Sequence, residues 1–386
     1  MKIAYTTTFN TKDVTYWSGT PFYMSKALEN QNDVQYIGSL ERKLPRFFWI
    51  KRAWKRIVSG QRECSEFNIA VAQYYSQQAD GALKNKSFDV IVSPLIHPIC
   101  YLKSKAPIVL WTDGLYAGFL GFYPEFSRHS TRSIAEGNAI TKECLSRCSL
   151  AIFSSDWAAR TAIEVYGVNK DIVKVVPYGA NIDNPPTRQE VDLFLKNRSR
   201  KTVNLLFMGK PWNRKGGDVV FRVVHALHAL GQSVELHVVG CYPPDMKNMP
   251  DFIKCHGFIS KNTPAGVQAI NALLAQAHFL FVPSRAEAFG LVFCEANAFG
   301  VPCLTTHIGG IPTIVKDNIN GMTFELDADA STYCDYIIDL MKHYDRYEAM
   351  AMRAFHEFET RLNWTVATRE VCSLIEKMDH NKKGTT

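Results

Sequence analysis

Several features that would indicate a membrane-spanning, secreted or zinc-binding protein are missing from this sequence. Its longest apolar stretches, such as Val90–Val92 and Phe279–Val282, are far shorter than the roughly 20 residues that a helix needs to cross a bilayer. The amino terminus turns polar too early to form the apolar core of a signal peptide. The 10 cysteines show no paired short spacings apart from Cys144 and Cys148, which argues against a zinc site or a disulfide framework. We therefore expect a cytoplasmic protein.

The chain contains enough apolar material for two sizeable cores. It has 386 residues, of which 46% are hydrophobic and 21% are charged. These values are ordinary for a globular protein, and the length is roughly two to three times that of a typical domain. The composition excludes a disordered, collagen-like or coiled-coil protein.

Short β-rich runs alternate with helical stretches along the chain, and this rhythm is interrupted once. A first series of predicted strands extends from Lys2–Thr8 to Val173–Pro177, and a second from Asn204–Met208 to Pro302–Thr306. Apolar strands that alternate with helices predict parallel sheets covered on both faces. Asp183–Arg200 contains prolines and many charges, and we interpret it as an interdomain linker.

The pattern therefore predicts an α/β protein with two doubly wound domains, whose sheets bind ligands at their carboxyl ends. The predicted parts are a first domain at 1–182, a linker at 183–200, a second domain at 201–363, a last helix at 364–380 and a tail at 381–386.

The most specific motif is the stretch Phe281–Pro302, with the sequence F-V-P-S-R-A-E-A-F-G-L-V-F-C-E-A-N-A-F-G-V-P. It predicts a buried strand, a loop that carries Glu287, and a helix that begins near Gly290 and carries Glu295. Free N–H groups at a helix start favour a phosphate, and glycine permits close approach of a ligand. Carboxylates accept hydrogen bonds from sugar or ribose hydroxyls.

A second motif, Gly209–Gly217 (G-K-P-W-N-R-K-G-G), directly follows the first strand of the second domain. Its glycines allow a tight backbone turn. The Arg214 guanidinium can donate to two phosphate oxygens at once, and the Lys215 ammonium supplies a compact positive charge. This combination is typical of a diphosphate site.

Together the two motifs resemble the donor site of family 4 retaining glycosyltransferases, which have the GT-B fold. The E-x7-E spacing of Glu287 and Glu295 and the R-K-G-G form of Arg214 and Lys215 carry this resemblance. It implies two Rossmann-like domains that face each other across a cleft, and a C-terminal helix from Trp364 that crosses back to the first domain. It also implies a nucleoside-diphosphate sugar as the donor, with no cofactor and no metal.

By the same resemblance, Glu287 faces the donor sugar and Glu295 holds the ribose. Arg214 and Lys215 neutralise the leaving diphosphate, and Lys210 stands where an arginine is common. The donor-binding set that the resemblance implies is completed by Gly19, Thr20, Gly209, Phe258, Ala288, Phe289, Gly290 and Leu291.

Three further segments resemble motifs of the family more weakly, and they occur in the same order along the chain as in the family. Trp17–Pro21 resembles a glycine loop that approaches the donor phosphates, and Pro177–Asp183 resembles a segment that closes the first domain. Thr306–Pro312 resembles a G-G-x-P turn, although Thr313 stands where a glutamate is usual. Asp327–Asp329 (D-A-D) spells a metal-nucleotide motif of a different fold, but its place before a predicted helix indicates an N-cap.

Two residues are candidates for the acceptor side of the site. Asp113 follows the strand Pro107–Thr112, near a place where many relatives carry a histidine. An aspartate there can position the acceptor hydroxyl or stabilise positive charge in the transition state. His97, which follows the strand Phe88–Ser93, is the alternative.

The net charge of +7 is concentrated in one segment, Glu41–Arg62, which interleaves aromatic residues with cations and contains a single acid. Such a segment can lie on an anionic membrane surface, bind an anionic glycan acceptor, or form a solvated helix. We expect the first of these, and no nucleic acid as a partner. The predicted patch consists of Arg46, Phe48, Trp49, Lys51, Arg52, Trp54, Lys55 and Arg56.

The sequence therefore predicts a retaining glycosyltransferase that moves a hexose-type sugar from a nucleoside diphosphate to a hydroxyl of a glycan or glycolipid of the cell-envelope type. The alternatives are a nucleotide-sugar epimerase of the same fold and a catalytically inactive glycan- or membrane-binding scaffold. The predicted catalytic residues are Asp113, Glu287, Lys215 and Arg214.

Overall fold

The chain forms two compact units, which are not two continuous stretches of sequence. The computed structural model describes residues 1–44, 47–246 and 249–383. Unit 1 consists of Met1–Pro177 and the chain from Ala367 onward, and unit 2 consists of Tyr178–Val366. The predicted tail at 381–386 lies partly outside the described residues.

Unit 1 is built on a six-stranded sheet with the strand order β2-β1-β3-β4-β5-β6, and all paired strands are parallel. The strands are β1 (Lys2–Thr6), β2 (Asp33–Ile37), β3 (Val90–Ser93), β4 (Ile108–Thr112), β5 (Leu150–Phe153) and β6 (Val173–Val175). The helices are α1 (Thr20–Glu29), α2 (Phe48–Ser59), α3 (Ile69–Leu83), α4 (Tyr116–Phe119), α5 (Thr131–Arg147) and α6 (Asp156–Arg160), which continues as a π-helical turn at Thr161–Val165. Short 3-10 helices lie at Tyr16–Gly19, Pro124–Phe126 and Lys170–Ile172.

The central strands of this sheet are buried along their whole length, which is why β3, β4 and β5 are continuous apolar runs in the sequence. Side chains outside the helices set where the helices begin. Asn68 accepts a hydrogen bond from the Val71 N–H, so α3 begins at Ile69.

Unit 2 is built on a second six-stranded sheet, with the order β12-β11-β10-β7-β8-β9, and it too is parallel. The strands are β7 (Val203–Met208), β8 (Val234–Val239), β9 (Ile253–Gly257), β10 (Phe279–Phe281), β11 (Cys303–Thr306) and β12 (Gly321–Phe324). The helices are α7 (Arg188–Asn197), α8 (Gly217–Ala229), α9 (Pro264–Gln276), α10 (Leu291–Ala298), α11 (Ile311–Ile314), α12 (Ala330–Lys342) and α13 (Tyr344–Thr360).

The predicted linker at 183–200 is wrong, because most of it forms helix α7 of unit 2. Thr187 and Glu190 form a capping box at the start of this helix, and Val191 and Leu195 are buried. The sequence T-R-Q-E carries the signature of the capping box. The preceding prolines and the charges of the exposed face hide it when composition alone is considered.

The last helix, α14 (Trp364–Lys383), begins in unit 2 and belongs to unit 1 from Ala367 onward. Asn32 Nδ2 donates a hydrogen bond to Cys372 Sγ over 3.5 Å, and Val371 and Ile375 are buried. The predicted return of the last helix to the first domain is therefore confirmed, together with the two parallel sheets. Within the described part of the chain, none of the helices combines the length and hydropathy needed to cross a bilayer.

Candidate active site

The strand order of unit 2 places two predicted motifs side by side. From β7 the chain adds β8 and β9 on one side, and from β10 it adds β11 and β12 on the other. The order therefore reverses between the neighbours β7 and β10, and parallel α/β sheets bind ligands at the carboxyl ends of such strands. The motif Gly209–Gly217 follows β7, and the loop that carries Glu287 follows β10.

Glu287 is held by both predicted cations. Lys215 Nζ forms an ion pair with Glu287 Oε2, and Arg214 Nη1 lies 3.6 Å from the same oxygen. All three side chains are largely buried. Because an ammonium has three donors, Lys215 can hold Glu287 and a phosphate oxygen at the same time.

Arg214 also fixes the backbone around this cluster. Its Nη1 donates to the Ala286 carbonyl and its Nη2 to the Lys210 carbonyl, each over 2.8 Å. The guanidinium thereby joins the loop after β7 to the loop after β10. The sequence predicts the charge of Arg214 at the site, but not this positioning role.

Glycine at two positions permits the close packing of these loops. A Cβ at Gly209 would lie 2.9 Å from Lys215 Cγ. Gly216, the N-cap of α8, has φ 76°, and a Cβ there would lie 2.0 Å from the Pro283 carbonyl oxygen. The start of α8 can therefore lie against Pro283, just after β10, only because Gly216 has no side chain.

Helix α10 begins directly after the Glu287 loop. Its N-cap, Gly290, has φ 101° and no side-chain cap, so the first turn presents backbone N–H groups and the positive end of the helix dipole. Ala288 and Phe289 are buried, and Leu291 is the first helical residue. The predicted contact of these amides with a donor phosphate stays a prediction.

Glu295 lies in the second turn of α10 and is 5% exposed. Its Oε1 forms an ion pair with Lys261 Nζ, a residue that the sequence does not identify. Lys261 belongs to the loop between β9 and α9, as does the predicted donor-binding residue Phe258. Lys210 Nζ lies 3.9 Å from the centre of the Phe258 ring, so this loop contacts both predicted motifs.

An ion pair outside the predicted set positions the Glu287 loop. Arg285 donates to the two carboxylate oxygens of Asp218 over 2.7 and 2.8 Å, and to the Asn213 carbonyl over 2.6 Å. The hydrogen bonds from Arg285 lower the pKa of Asp218. Asp218 lies in the first turn of α8, so the pair joins this helix to the loop after β10.

The G-G-x-P turn supports the same loop. The Gly310 N–H donates to the Glu287 carbonyl over 3.0 Å. Thr313, where a glutamate is usual in the family, lies in α11, and its carbonyl accepts a hydrogen bond from Arg361 Nη1 over 2.8 Å.

The segment Pro177–Asp183 requires its glycine for a close backbone contact. A Cβ at Gly179 would lie 2.1 Å from the Trp364 backbone nitrogen. Asn181 Oδ1 accepts a hydrogen bond from Trp364 Nε1 over 2.9 Å. The segment and the tryptophan at the start of α14 thus fix each other.

The sheet of unit 1 has its own point of reversal, between β1 and β3. After β1 the chain reaches Trp17, Ser18 and Gly19, whose φ angles are 48°, 54° and 84°, and then Thr20, which is buried at the start of α1. His97 follows β3, and Asp113 directly follows the next strand, β4. Both acceptor-side candidates therefore lie after the carboxyl ends of neighbouring strands.

His97 and Asp113 differ in their environments. The Nε2 atom of His97 is buried and has no hydrogen-bond partner among the described residues. The His97 ring packs edge-on against Phe67, with 4.7 Å between ring centres. Burial lowers the pKa of His97 to about 4, so its imidazole is neutral at neutral pH. Asp113 is half-buried, and its contact with an acceptor stays a prediction.

Asp329 occupies the predicted N-cap position of α12, but its side chain makes no capping hydrogen bond. Across the described ranges of the chain, no three His, Cys, Asp or Glu side chains are grouped so as to hold a metal ion.

Helix α2 presents an apolar face to solvent. Ile50, Trp54, Ile57 and Val58 have the i, i+4, i+7, i+8 spacing of one helical face, and they are 63% to 84% exposed. Trp49 is also exposed. None of the described side chains of this helix is buried.

The charge of α2 is of one sign. Its sequence contains Lys51, Arg52, Lys55 and Arg56 and no acid. Of the predicted patch, Arg46 lies outside the described residues, as do the side chains of Phe48, Lys51, Arg52 and Lys55.

Residues 202–343 match the model of a protein family described as Glycosyl transferases group 1. The matched region contains Arg214, Lys215, Glu287 and Glu295. The match confirms the resemblance that the motifs indicate, while the assignment to family 4 in particular stays a prediction.

Among curated proteins, a D-inositol 3-phosphate glycosyltransferase of Xylanimonas cellulosilytica is 29% identical over 201 residues, which are 48% of this chain and 48% of that protein. The chain spans about half the length of the curated relatives it matches.

Several solved structures are similar over nearly the whole chain, and two of them serve as examples. Sucrose-phosphate synthase from Thermosynechococcus elongatus has a TM-score of 0.69 at 15% identity, with coverage of 98% of this chain and 99% of that one. Anabaena HepE in complex with UDP and glucose has a TM-score of 0.64 at 14% identity, with coverage of 97% and 99%. These likenesses confirm the GT-B fold.

Proposed function

We propose that this protein, whose residues 202–343 form a glycosyl transferases group 1 region, is a retaining glycosyltransferase. It transfers a hexose-type sugar from a nucleoside diphosphate to a hydroxyl of a glycan or glycolipid. The observation that carries the proposal is the cluster of Lys215, Arg214 and Glu287, which lie after the carboxyl ends of the neighbouring strands β7 and β10. The name of the Xylanimonas relative and the UDP and glucose bound to HepE support it.

The cluster is suited to the departure of a diphosphate. Lys215 and Arg214 place two positive charges beside the uncapped start of α10, so that negative charge developing on a leaving phosphate is stabilised in a largely buried site. Glu287 accepts hydrogen bonds and faces the sugar. Glu295 and the loop of Phe258 hold the nucleoside.

The proposed reaction occurs on one face of the sugar. The departing phosphate, held by Arg214, Lys215 and the α10 amides, accepts the proton of the acceptor hydroxyl as that hydroxyl attacks the anomeric carbon. The bond from the sugar to the phosphate breaks, the new glycosidic bond forms on the same side, and configuration is retained. Asp113 positions the acceptor hydroxyl and stabilises positive charge on the sugar. No protein nucleophile and no metal ion is required.

We also infer that α2 binds the cytoplasmic surface of an anionic membrane. Its exposed tryptophans and aliphatic side chains enter the interface, and its cations contact lipid headgroups. The acceptor is then a lipid-linked glycan or a growing cell-envelope polysaccharide.

The donor site is tested by a thermal-shift panel of UDP, GDP, ADP, dTDP and CMP. A nucleotide at about 100 times its dissociation constant should add about 2.7 kcal/mol to the free energy of unfolding. We expect one base to stabilise the wild type and Glu295→Ala to lose the effect, with Glu295→Gln as the second variant if the alanine protein does not fold. Glu325→Ala, at an exposed position of unit 2, is the matched control.

Turnover tests the chemical role of the cluster. Lys215→Ala should lower sugar transfer about 100-fold, since it removes a preorganised donor to the leaving group, whereas Lys254→Ala on the exposed face of β9 should not. The absence of any nucleotide-induced shift in the wild type would make the inactive-scaffold alternative the better description. A product that retains the nucleotide would identify the epimerase alternative.

A further inference from the structure

We propose that a polar cavity in unit 1 binds a neutral sugar residue of the acceptor, an inference that rests on the glycosyl transfer proposed above. The cavity has a volume of about 390 Å³, which is within the range of small-molecule pockets. Its lining includes Arg56, Arg62, Glu63, Glu66, Glu125 and His129.

Backbone pairing joins the two walls of the cavity. One wall lies in the connection from β2 to α3 and the other in the connection from β4 to α5. The Arg62 N–H donates to the Arg128 carbonyl over 2.7 Å, and the Ser130 N–H donates to the Arg62 carbonyl over 3.0 Å. The backbones of the two walls are therefore fixed relative to each other.

Hydrogen bonds also hold individual lining side chains. Glu63 accepts from Ser130 Oγ over 2.9 Å and from Ser133 Oγ over 3.0 Å. The Tyr116 hydroxyl lies 2.8 Å from His129 Nδ1. Burial lowers the pKa of His129, so this ring adds no full charge at neutral pH. The cavity is thus partly preorganised.

The mixture of charges selects the chemistry of the ligand. Arginine side chains only donate hydrogen bonds, and ionised carboxylates only accept them. An anion would be repelled by Glu63, Glu66 and Glu125, and a cation by Arg56 and Arg62. Sugar hydroxyls both donate and accept, so a neutral sugar can satisfy both kinds of group at once.

The location of the cavity agrees with a role on the acceptor side. The connection that carries Glu125 and His129 begins at Asp113, and Tyr116, which contacts His129, is three residues further along. On the other wall, Arg56 belongs to α2, beside the exposed Ile57. A sugar bound here would contact the connection that begins at the predicted acceptor-side residue, and also Arg56 of the helix proposed to contact lipid.

The test is ligand-observed saturation-transfer NMR with the full-length protein. The probes are the methyl glycosides of glucose, galactose, mannose and N-acetylglucosamine. We expect at least one to bind the wild type, and Glu66→Gln and Glu125→Gln each to weaken it about tenfold, the loss of one hydrogen bond to a charged group. Glu164→Gln, at an exposed position away from the cavity, should have no effect.

Two further readouts separate the possible outcomes. UDP- or GDP-induced stabilisation should be the same in all three variants as in the wild type, because the donor residues are unchanged. Inorganic phosphate should not displace the glycoside. Displacement by phosphate, the absence of glycoside binding, or unchanged binding in both cavity variants would overturn this inference. A wild type that no nucleotide stabilises would instead overturn the proposed function.

Discussion

Among single residues, His278 shows how burial controls the protonation of a side chain. It is 0% exposed, its Nδ1 accepts a hydrogen bond from the Asn204 N–H over 3.0 Å, and its Nε2 donates to the Ser199 carbonyl over 2.8 Å. Protonation of Nδ1 would break the first of these bonds. Burial, with a smaller contribution from Arg198, lowers the pKa of His278 to about 4.

This environment makes stability depend on pH. The unfolded chain binds the proton near pH 6.5, and the folded chain binds it only near pH 4. The neutral ring therefore makes its full contribution to the free energy of unfolding above pH 6.5, and this contribution is lost as the pH falls to about 4. The full effect is about 3 kcal/mol at most. We expect His278→Gln to reduce the acid-induced fall in the free energy of unfolding, measured by urea titration between pH 7 and pH 4.

His356→Gln, at an exposed position of α13, is the control for that experiment. The same fall in His278→Gln as in the wild type would show that protonation of this ring does not limit acid stability.

Residues of the candidate donor site differ in how far the sequence predicts them. Lys215 and Glu287 belong to short motifs directly after apolar strands, and the order of strands brings those two loops together. Lys261 belongs to no motif, and its pairing with Glu295 depends on the path of the loop after β9. Spacing along the chain does not encode such a path, so Lys261 and the Arg285–Asp218 pair are found only in three dimensions.

At the scale of elements, Arg198, the residue that follows α7, connects the end of this helix to the ends of two others. This side chain is 4% exposed and donates to the carbonyls of Ala275, Phe299 and Gly300 and to the Tyr347 hydroxyl. The carbonyls lie at the C-terminal ends of α9 and α10, where the helix dipole favours a cation. One guanidinium therefore caps two helices.

Arg198→Met should lower the free energy of unfolding by about 3 kcal/mol, because several buried acceptors lose their donor at once. Arg200→Met is the matched control. Its guanidinium pairs with Glu348 over 2.9 Å at the surface, and exposed pairs contribute about 1 kcal/mol or less. Urea titration of both proteins measures the difference, and equal losses would contradict the capping role of Arg198.

Elements with a clear apolar pattern could be predicted from the sequence more easily than one-turn helices. The strands are apolar runs between more polar stretches, and the longer helices repeat their apolar residues over several turns. The one-turn helices α4 and α11 have 4 residues each, too few to show a period. Helix α7 was missed because its polar face is more evident in the composition than its few buried residues.

For the molecule as a whole, charge is unevenly distributed along the chain. Glu41–Arg62 contains eight Lys or Arg residues and one Glu, a net charge of +7 that equals the excess of the entire protein. The same segment contains the exposed apolar face of α2. Each cation near an anionic bilayer contributes about 1 kcal/mol to binding. The contributions of several cations together are sufficient for reversible attachment.

Vesicle flotation tests this attachment. The wild type should float with vesicles of phosphatidylglycerol and phosphatidylcholine but not with phosphatidylcholine alone, and high salt should weaken the binding. Trp54→Ser and Ile57→Ser should reduce binding at least about tenfold, since each loses buried apolar area. Leu193→Ser, at an exposed leucine of unit 2, should float like the wild type. Equal flotation of all variants would leave α2 as a solvated helix.

The interleaving of the two units along the chain has a consequence for biosynthesis. Unit 2 is one uninterrupted stretch, whereas unit 1 includes the chain from Ala367 onward, with Val371 and Ile375 buried in α14. Chains are synthesised from the amino terminus, and domains generally fold as units. Unit 1 therefore begins first but is completed last, after all of unit 2 has been translated. A chain truncated within α14 would therefore contain all of unit 2 and an incomplete unit 1.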